Sequence, residues 1–571
     1  MLATLLLAGI ALATLLYLLA PKPQSHLPHG AQLPDGPPGQ PLLGNLLQIP
    51  PQHSWLQFTH WSKQYGPLYR LNLAGQNHVI VSDERIAEDL LRERGNLYSS
   101  RGYLDEPSRR RRRFLYGPPL YMASELMSHG LRPVFMPYGD TWRSVRKLMH
   151  SLTNVSVATS YESLQEEESL RAVRDLMREP EKYETWSGTS ERRVIDGDVT
   201  FEINPADAEV CGPQFERYSA GLILRLAYSK PVHTGEEIFV RRILNVVHTV
   251  ERVASPGAYL VDAFPVLMRL PSLLAPFKRE AKTLHAEEIS LFRDLLREGV
   301  QASESAPDPG SANFCGKWAQ NREAYDLSHD HVAYVIGTLF EAGAGTTAAA
   351  MASFVLAMTL HPQEYAKLQQ EVDAVVGGDR LPRFEDLPRL PRVRAVAKEV
   401  LRWRPVTAGG FPHLLIKDDV YEMPDGRVVF LEKGTAVHGV QWSIHREAKL
   451  YPDPEMFRPE RWLESSWPTF REPLTKFPNL QNYSAFGFGR RICPGVNIAE
   501  RSLYILISRI AWSCDLGFKK DGQGEEILPP LYDYVAGFNV QPKPFPFELR
   551  PRPRKQVAVE QVYQSVWEGG K

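Results

Sequence analysis

The densest chemical signal in these 571 residues is the stretch Phe486 to Gly495, FGFGRRICPG. Cys493 follows glycines at 487 and 489, precedes Pro494 and Gly495, and opens an apolar helical stretch from Val496 to Trp512. Glycines let a backbone approach a planar group closely, and amides turned toward one sulfur favour thiolate over thiol. A helix that starts just after the cysteine adds its positive end to that effect. The residues alone leave two readings open: a low-pKa cysteine in a tight loop, or an inert buried one.

A second pair is Glu399 and Arg402. At i, i+3 they share one helix face, and with Arg461 they can form a buried, charge-assisted network. The alternative is a surface ion pair worth under about 1 kcal/mol.

Elements that could position these groups follow from the same chain. Ser328 can cap a proline-free run from His329 to Leu360, which at helical rise is roughly 48 Å long, enough to cross a domain. Its middle is rich in Gly and Ala, which weakens a helix unless something lies against it. Pro362 restarts a helix that should stop near Gly377 and Gly378, and another runs from about Pro391 to Trp403. Short β-branched runs such as His78 to Ser82 read as strands.

Composition narrows the function. With 66 Lys plus Arg against 67 Asp plus Glu, the chain lacks the basic excess that drives phosphate binding, so nucleic acid is an unsuitable partner. Four cysteines, at 211, 315, 493 and 514, form no CxxC pair and argue against a disulfide framework or zinc. Mean hydropathy is -0.30, yet Leu2 to Ala20 is an uncharged run of about the length that spans a bilayer. No cation precedes it and Lys22 follows, which favours a retained anchor over a cleaved signal peptide, with the body of the chain cytosolic.

The expected organisation is a transmembrane anchor (1–21), a proline-rich hinge (22–50), one large domain (51–550) and a loosely ordered tail (551–571). Two stretches read as inserted solvated loops: 108–119, with arginines at 109 to 113, and 186–213. Sequons at Asn154 and Asn482 would go unused on a cytosolic domain.

FGFGRRICPG fits every fixed position of F-x-x-G-x-R-x-C-x-G, through Phe486, Gly489, Arg491, Cys493 and Gly495. The chain therefore resembles the cytochrome P-450 superfamily of haem-thiolate monooxygenases. Glu399 to Arg402 is similar to its E-x-x-R, FRPERW with Arg461 to its later arginine segment, and Trp142 with Arg146 to its W-x-x-x-R. The resemblance spans roughly residues 34 to 550.

It implies a mainly α fold with smaller β-sheets and a single haem domain, and heme b bound through the Cys493 thiolate. Donation from that thiolate favours O–O cleavage. Trp142, Arg146, Arg491 and His413 are the implied propionate partners, although an isolated histidine such as His413 can equally be structural. Electrons would come from NADPH through a membrane-bound reductase, with cytochrome b5 as a second donor, at the endoplasmic reticulum membrane. The sequence style resembles microsomal members from filamentous fungi that tailor secondary metabolites.

One departure stands out. Where the family carries A/G-G-x-D/E-T-T/S, this chain reads Ala342-Gly343-Ala344-Gly345-Thr346-Thr347. Thr346 and Thr347 are kept, but glycine replaces the acid and puts the usual proton relay in doubt. Glu341, four residues before Gly345, shares nearly its face and could supply the proton, or could merely pair with a cation. The departure keeps alive a reductase-independent isomerase or dehydratase acting on a peroxide or oxime, and a non-catalytic haem-binding protein. Substrate choice would rest on residues 100 to 137, 215 to 265 and Val406 to Phe411, where small residues suggest a roomy apolar site.

Overall fold

The computed structural model describes residues 27–101, 120–180, 192–195, 198–201, 214–232, 237–255, 257–306, 312–470, 480–535 and 539–568. The amino-terminal apolar run and the arginine run lie outside them. Of the polar stretch 186–213, the described part is a small hairpin, Arg192–Ile195 against Asp198–Phe201.

The helices that matter for the site are α1 (Asp140–Thr153), α2 (Glu162–Arg178), α3 (Gln214–Tyr228), α4 (Ile238–Ala254), α5 (Pro276–Glu304), α6 (His329–Leu360), α7 (Pro391–Trp403), α8 (Val496–Ser513) and α9 (Pro553–Tyr563). Helix α6 is the axis of the molecule. Its start is set by Ser328, whose hydroxyl accepts from the His331 amide at 3.3 Å.

The weak Gly and Ala middle of α6 is compensated by close packing. A Cβ added to Gly343 would lie 3.1 Å from Ile223 of α3, and one added to Gly337 would lie 2.7 Å from the Phe292 ring of α5. Together α2, α3, α6 and α8 make the helical core. Among the described residues α6 is the helix long and apolar enough to cross a membrane, but it is mostly buried inside the protein, as a core helix must be.

The main sheet has strands β1 (Leu68–Leu73), β2 (Gln76–Val81), β3 (His413–Leu414) and β4 (Ala436–Gly439), in the order β1-β2-β4-β3. Strands β2 and β4 are parallel, and β3 is antiparallel to β4 with His413 opposite Val437.

The expectation of a loosely ordered tail is corrected. Pro553–Tyr563 is a helix with proline in its first turn. It docks on α2: Arg174 grips Glu560 through two 2.9 Å hydrogen bonds and lies over the Tyr563 ring at 3.6 Å, and Arg171 lies over Trp567 at 4.0 Å. Those arginines are about 390 residues upstream, so nothing local in the tail could show its partner.

Candidate functional site

The cysteine loop is built on two glycines in the left-handed region, Gly487 (φ 85°) and Gly489 (φ 55°). At Gly489 a Cβ would fall 2.2 Å from the Leu91 carbonyl oxygen, so only glycine lets the loop close against that segment. The Cys493 amide donates to the Phe486 carbonyl at 2.9 Å, turning the loop back on itself. The amides of Gly495 and Val496, at the start of α8, donate to the Cys493 sulfur, and Arg146 of α1 adds its positive field.

These groups favour thiolate, but burial acts more strongly and raises the thiol above its ordinary value. Around the sulfur, desolvation thus outweighs the amides and the arginine. Cys493 keeps some accessible surface although it lies deep in the protein.

Beside it stands a set of buried cations. Arg491 is held well below its usual value by burial first and then by Arg101 and Arg146. Burial also lowers Arg101 to about 9. Arg146 is lowered by burial, partly offset by Cys493. None of the three has an ion pair with a carboxylate among the described residues, and the Arg101 Nε is buried without a partner. Gathering arginines away from water without an anion is unfavourable, and the two carboxylates of a haem would relieve it. The residues present fit that group.

Arg491 also braces the loop. Its Nε donates to Ser99 O at 2.7 Å, its Nη2 to Met136 O at 2.7 Å and its Nη1 to Pro133 O at 3.3 Å. Its guanidinium lies 4.3 Å from the centre of the buried Trp142 ring. His413 is buried with Nδ1 at 2.8 Å from Tyr98 O, so Nδ1 carries hydrogen and Nε2 is the atom left to face an anion. Burial, followed by Arg101, holds this ring well below its ordinary value. Nε2 can donate only if the ring takes a second proton, which an anion beside it would favour.

Behind the loop, Glu399, Arg402 and Arg461 are fully buried together. Arg402 reaches Glu399 through Nη2 at 2.8 Å and Nε at 2.9 Å, and Arg461 Nε approaches at 3.3 Å. The Trp462 indole and the Arg458 amide add bonds of 3.0 and 2.8 Å to the same carboxylate. Arg402 also donates to Pro454 O at 2.7 Å and His445 O at 3.1 Å. The network thus pins α7 to the segment that leads into the cysteine loop.

On α6, the Thr346 hydroxyl donates to Ala342 O at 2.7 Å, and Thr347 is partly buried beside it. Glu341 takes a different environment. One of its oxygens pairs with Arg132, which also pairs with Glu288 of α5; the other is buried without a partner. Burial raises its carboxyl above the usual range, Arg132 opposes this and Glu288 reinforces it. The pairing with a cation, one of the two roles open to Glu341, is the geometry observed.

Sequence reasoning missed Arg101, Arg132, Glu288 and Asn539. Arg101 follows two serines in a short segment with no motif; Ser100 bridges to Leu414 of β3, and Arg101 Nη1 donates to Pro412 O at 3.3 Å.

A cysteine sulfur that accepts from helix-start amides, beside arginines with no carboxylate partner among the described residues, is the arrangement of a haem-thiolate site. The chain belongs to the cytochrome P450 family: the family "Cytochrome P450" matches residues 34–548. It is 32% identical over 522 residues to cytochrome P450 monooxygenase 58 of Postia placenta, covering 91% of this chain and 89% of that protein. It is 32% identical over 563 residues to cytochrome P450 monooxygenase fogE of Aspergillus ruber, covering 97% and 92%. A solved zebra fish cytochrome P450 with progesterone superposes with TM-score 0.63 at 23% identity, covering 88% of this chain and 100% of that one. The chain is thus an enzyme of the cytochrome P450 monooxygenase family.

Proposed function

We propose that this protein uses O2 and two electrons from an NADPH-dependent reductase to hydroxylate or otherwise oxidise a small apolar molecule, in secondary metabolite biosynthesis at the endoplasmic reticulum membrane. The observation that carries the reading is Cys493, with the Gly495 and Val496 amides on its sulfur and the unpaired arginines beside it. When bound, the haem supplies oxygen activation at iron, tuned by the thiolate ligand.

The chain's own residues then have distinct tasks. Cys493 would hold the haem iron through its sulfur, and the Gly495 and Val496 amides would stabilise the negative charge there. Arg101, Arg146 and Trp142 donate to the propionates, Arg491 locks the loop to the segment around Ser99 and Met136, and His413 shares a proton with one carboxylate. Phe486, Gly489 and Gly495 shape the loop, while Glu399, Arg402 and Arg461 hold it from behind. Thr346, its hydrogen committed to Ala342 O, would accept a hydrogen bond from a water beside Thr347. Glu341 holds a proton in its buried cluster, one turn from Gly345.

Reduced wild type should show the red-shifted Soret band of a thiolate-bound carbon monoxide complex, and Cys493→His should lose it. A wild type without the band overturns the assignment. Gly345 favours testing one alternative, a peroxide or oxime rearrangement without reductase. Turnover with hydroperoxide alone and none with NADPH and reductase would establish it.

A further inference from the structure

We infer that Glu251, positioned by Asn539, replaces the acid that position 345 lacks and delivers protons to the groove beside Thr346. The inference rests on the monooxygenase reading above. It starts from Thr346, whose hydroxyl hydrogen is committed to Ala342 O at 2.7 Å. That oxygen can accept from a water but has no proton of its own to pass on, so the proton must come from elsewhere.

Gly345 leaves its side of the groove open. Among the described residues outside its own stretch of α6, only Asn539 Nδ2 comes within reach of an added Cβ, at 4.0 Å. Asn539 therefore stands where an acidic side chain at 345 would project. Its position is fixed by its neighbour, because the Val540 amide donates to Val406 O at 2.7 Å. Its own Nδ2 donates to Glu251 Oε1 at 2.8 Å. A carboxyl group from α4 is thereby held at the groove by an amide, which orients it but cannot itself carry a proton.

A second carboxyl group lies behind the first. Glu216 of α3 faces Glu251 and is raised to about 7 by burial and then by that neighbour. Glu216 therefore keeps a proton near neutrality, next to the carboxylate that Asn539 holds. Arg252, the next residue on α4, is turned to Tyr259 and Glu280 at 2.7 and 3.1 Å. The step is a proton transfer only: Glu216 releases a proton, the Glu251 carboxylate relays it toward the space beside Thr346, and Glu216 takes up another from solvent. Electrons and O2 are those of the monooxygenase reaction. Glu341 is less suited, because Arg132 ties one of its oxygens to Glu288.

The test uses the full-length haem-loaded protein with NADPH, a fungal reductase and no added substrate, and measures hydrogen peroxide formed per NADPH consumed. Glu251→Gln should raise that ratio at least about two-fold, as slowed protonation lets peroxide escape. Gly345→Asp in the same protein should restore it, a rescue that a merely structural role would not show. Should Glu251→Gln not fold, Asn539→Ala, which frees the carboxyl group from its holder, should raise the ratio in the same direction.

Independently of turnover, wild-type thermal stability should fall as pH rises from the ordinary carboxylate range through about 7, because Glu216 must ionise there. Glu251→Gln should flatten that fall. An unchanged ratio, no rescue by Gly345→Asp, or a rise confined to Glu341→Gln overturns the inference. Loss of the thiolate carbon monoxide band in wild type would instead overturn the monooxygenase reading.

Discussion

Arg132→Met tests the buried charge cluster directly. The side chains of Arg132, Glu288 and Glu341 are 2%, 1% and 9% exposed, and the one guanidinium meets both carboxylates. The Tyr334 hydroxyl donates to Glu288 at 2.7 Å and Arg132 Nε to Ser128 Oγ at 3.1 Å. Removing one partner of such a buried ionic group costs about 3–5 kcal/mol, because its counter-charges stay buried. At about 2.1 cal/mol/K of unfolding entropy per residue over 571 residues, 1 kcal/mol moves the midpoint by roughly 1 °C, so Tm should drop by about 3–5 °C.

The drop should depend on pH, and its sign follows from Glu341. Its folded-state pKa is raised, chiefly by burial, so its contribution is fully present below the ordinary carboxylate value and is lost as pH rises through the raised one. Without Arg132 the cluster must take up protons to stay buried, so the deficit should be large at pH 8 and small near pH 5. Thermal unfolding by circular dichroism across that range measures it. Arg132→Met with Glu288→Gln and Glu341→Gln should recover most of the loss. A pH-independent drop, or no recovery in the triple variant, would refute the charge argument.

Three further outcomes are expected. Gly489→Ala should reduce the yield of haem-loaded protein sharply, read as the ratio of Soret to protein absorbance, since its Cβ would meet Leu91 O at 2.2 Å in a left-handed conformation. Arg101→Leu should speed haem transfer to an acceptor apoprotein, because it removes a donor whose Nε has no protein partner; an unchanged rate would exclude a propionate contact. Truncation after Pro551 should lower Tm by a few degrees through loss of the Arg174–Glu560 pair and the rings over Arg174 and Arg171, and an unchanged Tm would show the docked helix to be energetically idle.

Much of the fold was legible where local chemistry is decisive. Ser328, Pro362, Gly377 and Pro391 punctuate helices at the boundaries the structure shows, His329–Leu360, Pro362–Val376 and Pro391–Trp403, because caps and breakers act within a few residues. The carboxyl-terminal helix was not legible, since its partners lie on a helix far upstream. Cys493 could be located from its loop, but its ionisation could not. The amides that favour thiolate are local, whereas the burial that opposes it comes from the whole domain.

What the sequence by itself determined was the inventory: a cysteine between glycines and a helix start, an acid and arginine spaced on one helix face, and a threonine-bearing helix with glycine at the acid position. These are properties of spacing, and spacing survives without coordinates. Only the tertiary structure decided the pairings. It placed Arg101 with Arg146 and Arg491, tied Glu341 to Arg132 and Glu288, and brought Asn539 to Gly345 from nearly two hundred residues away. Buried charges are controlled by whichever groups surround them, and those come from segments that meet only when the chain folds.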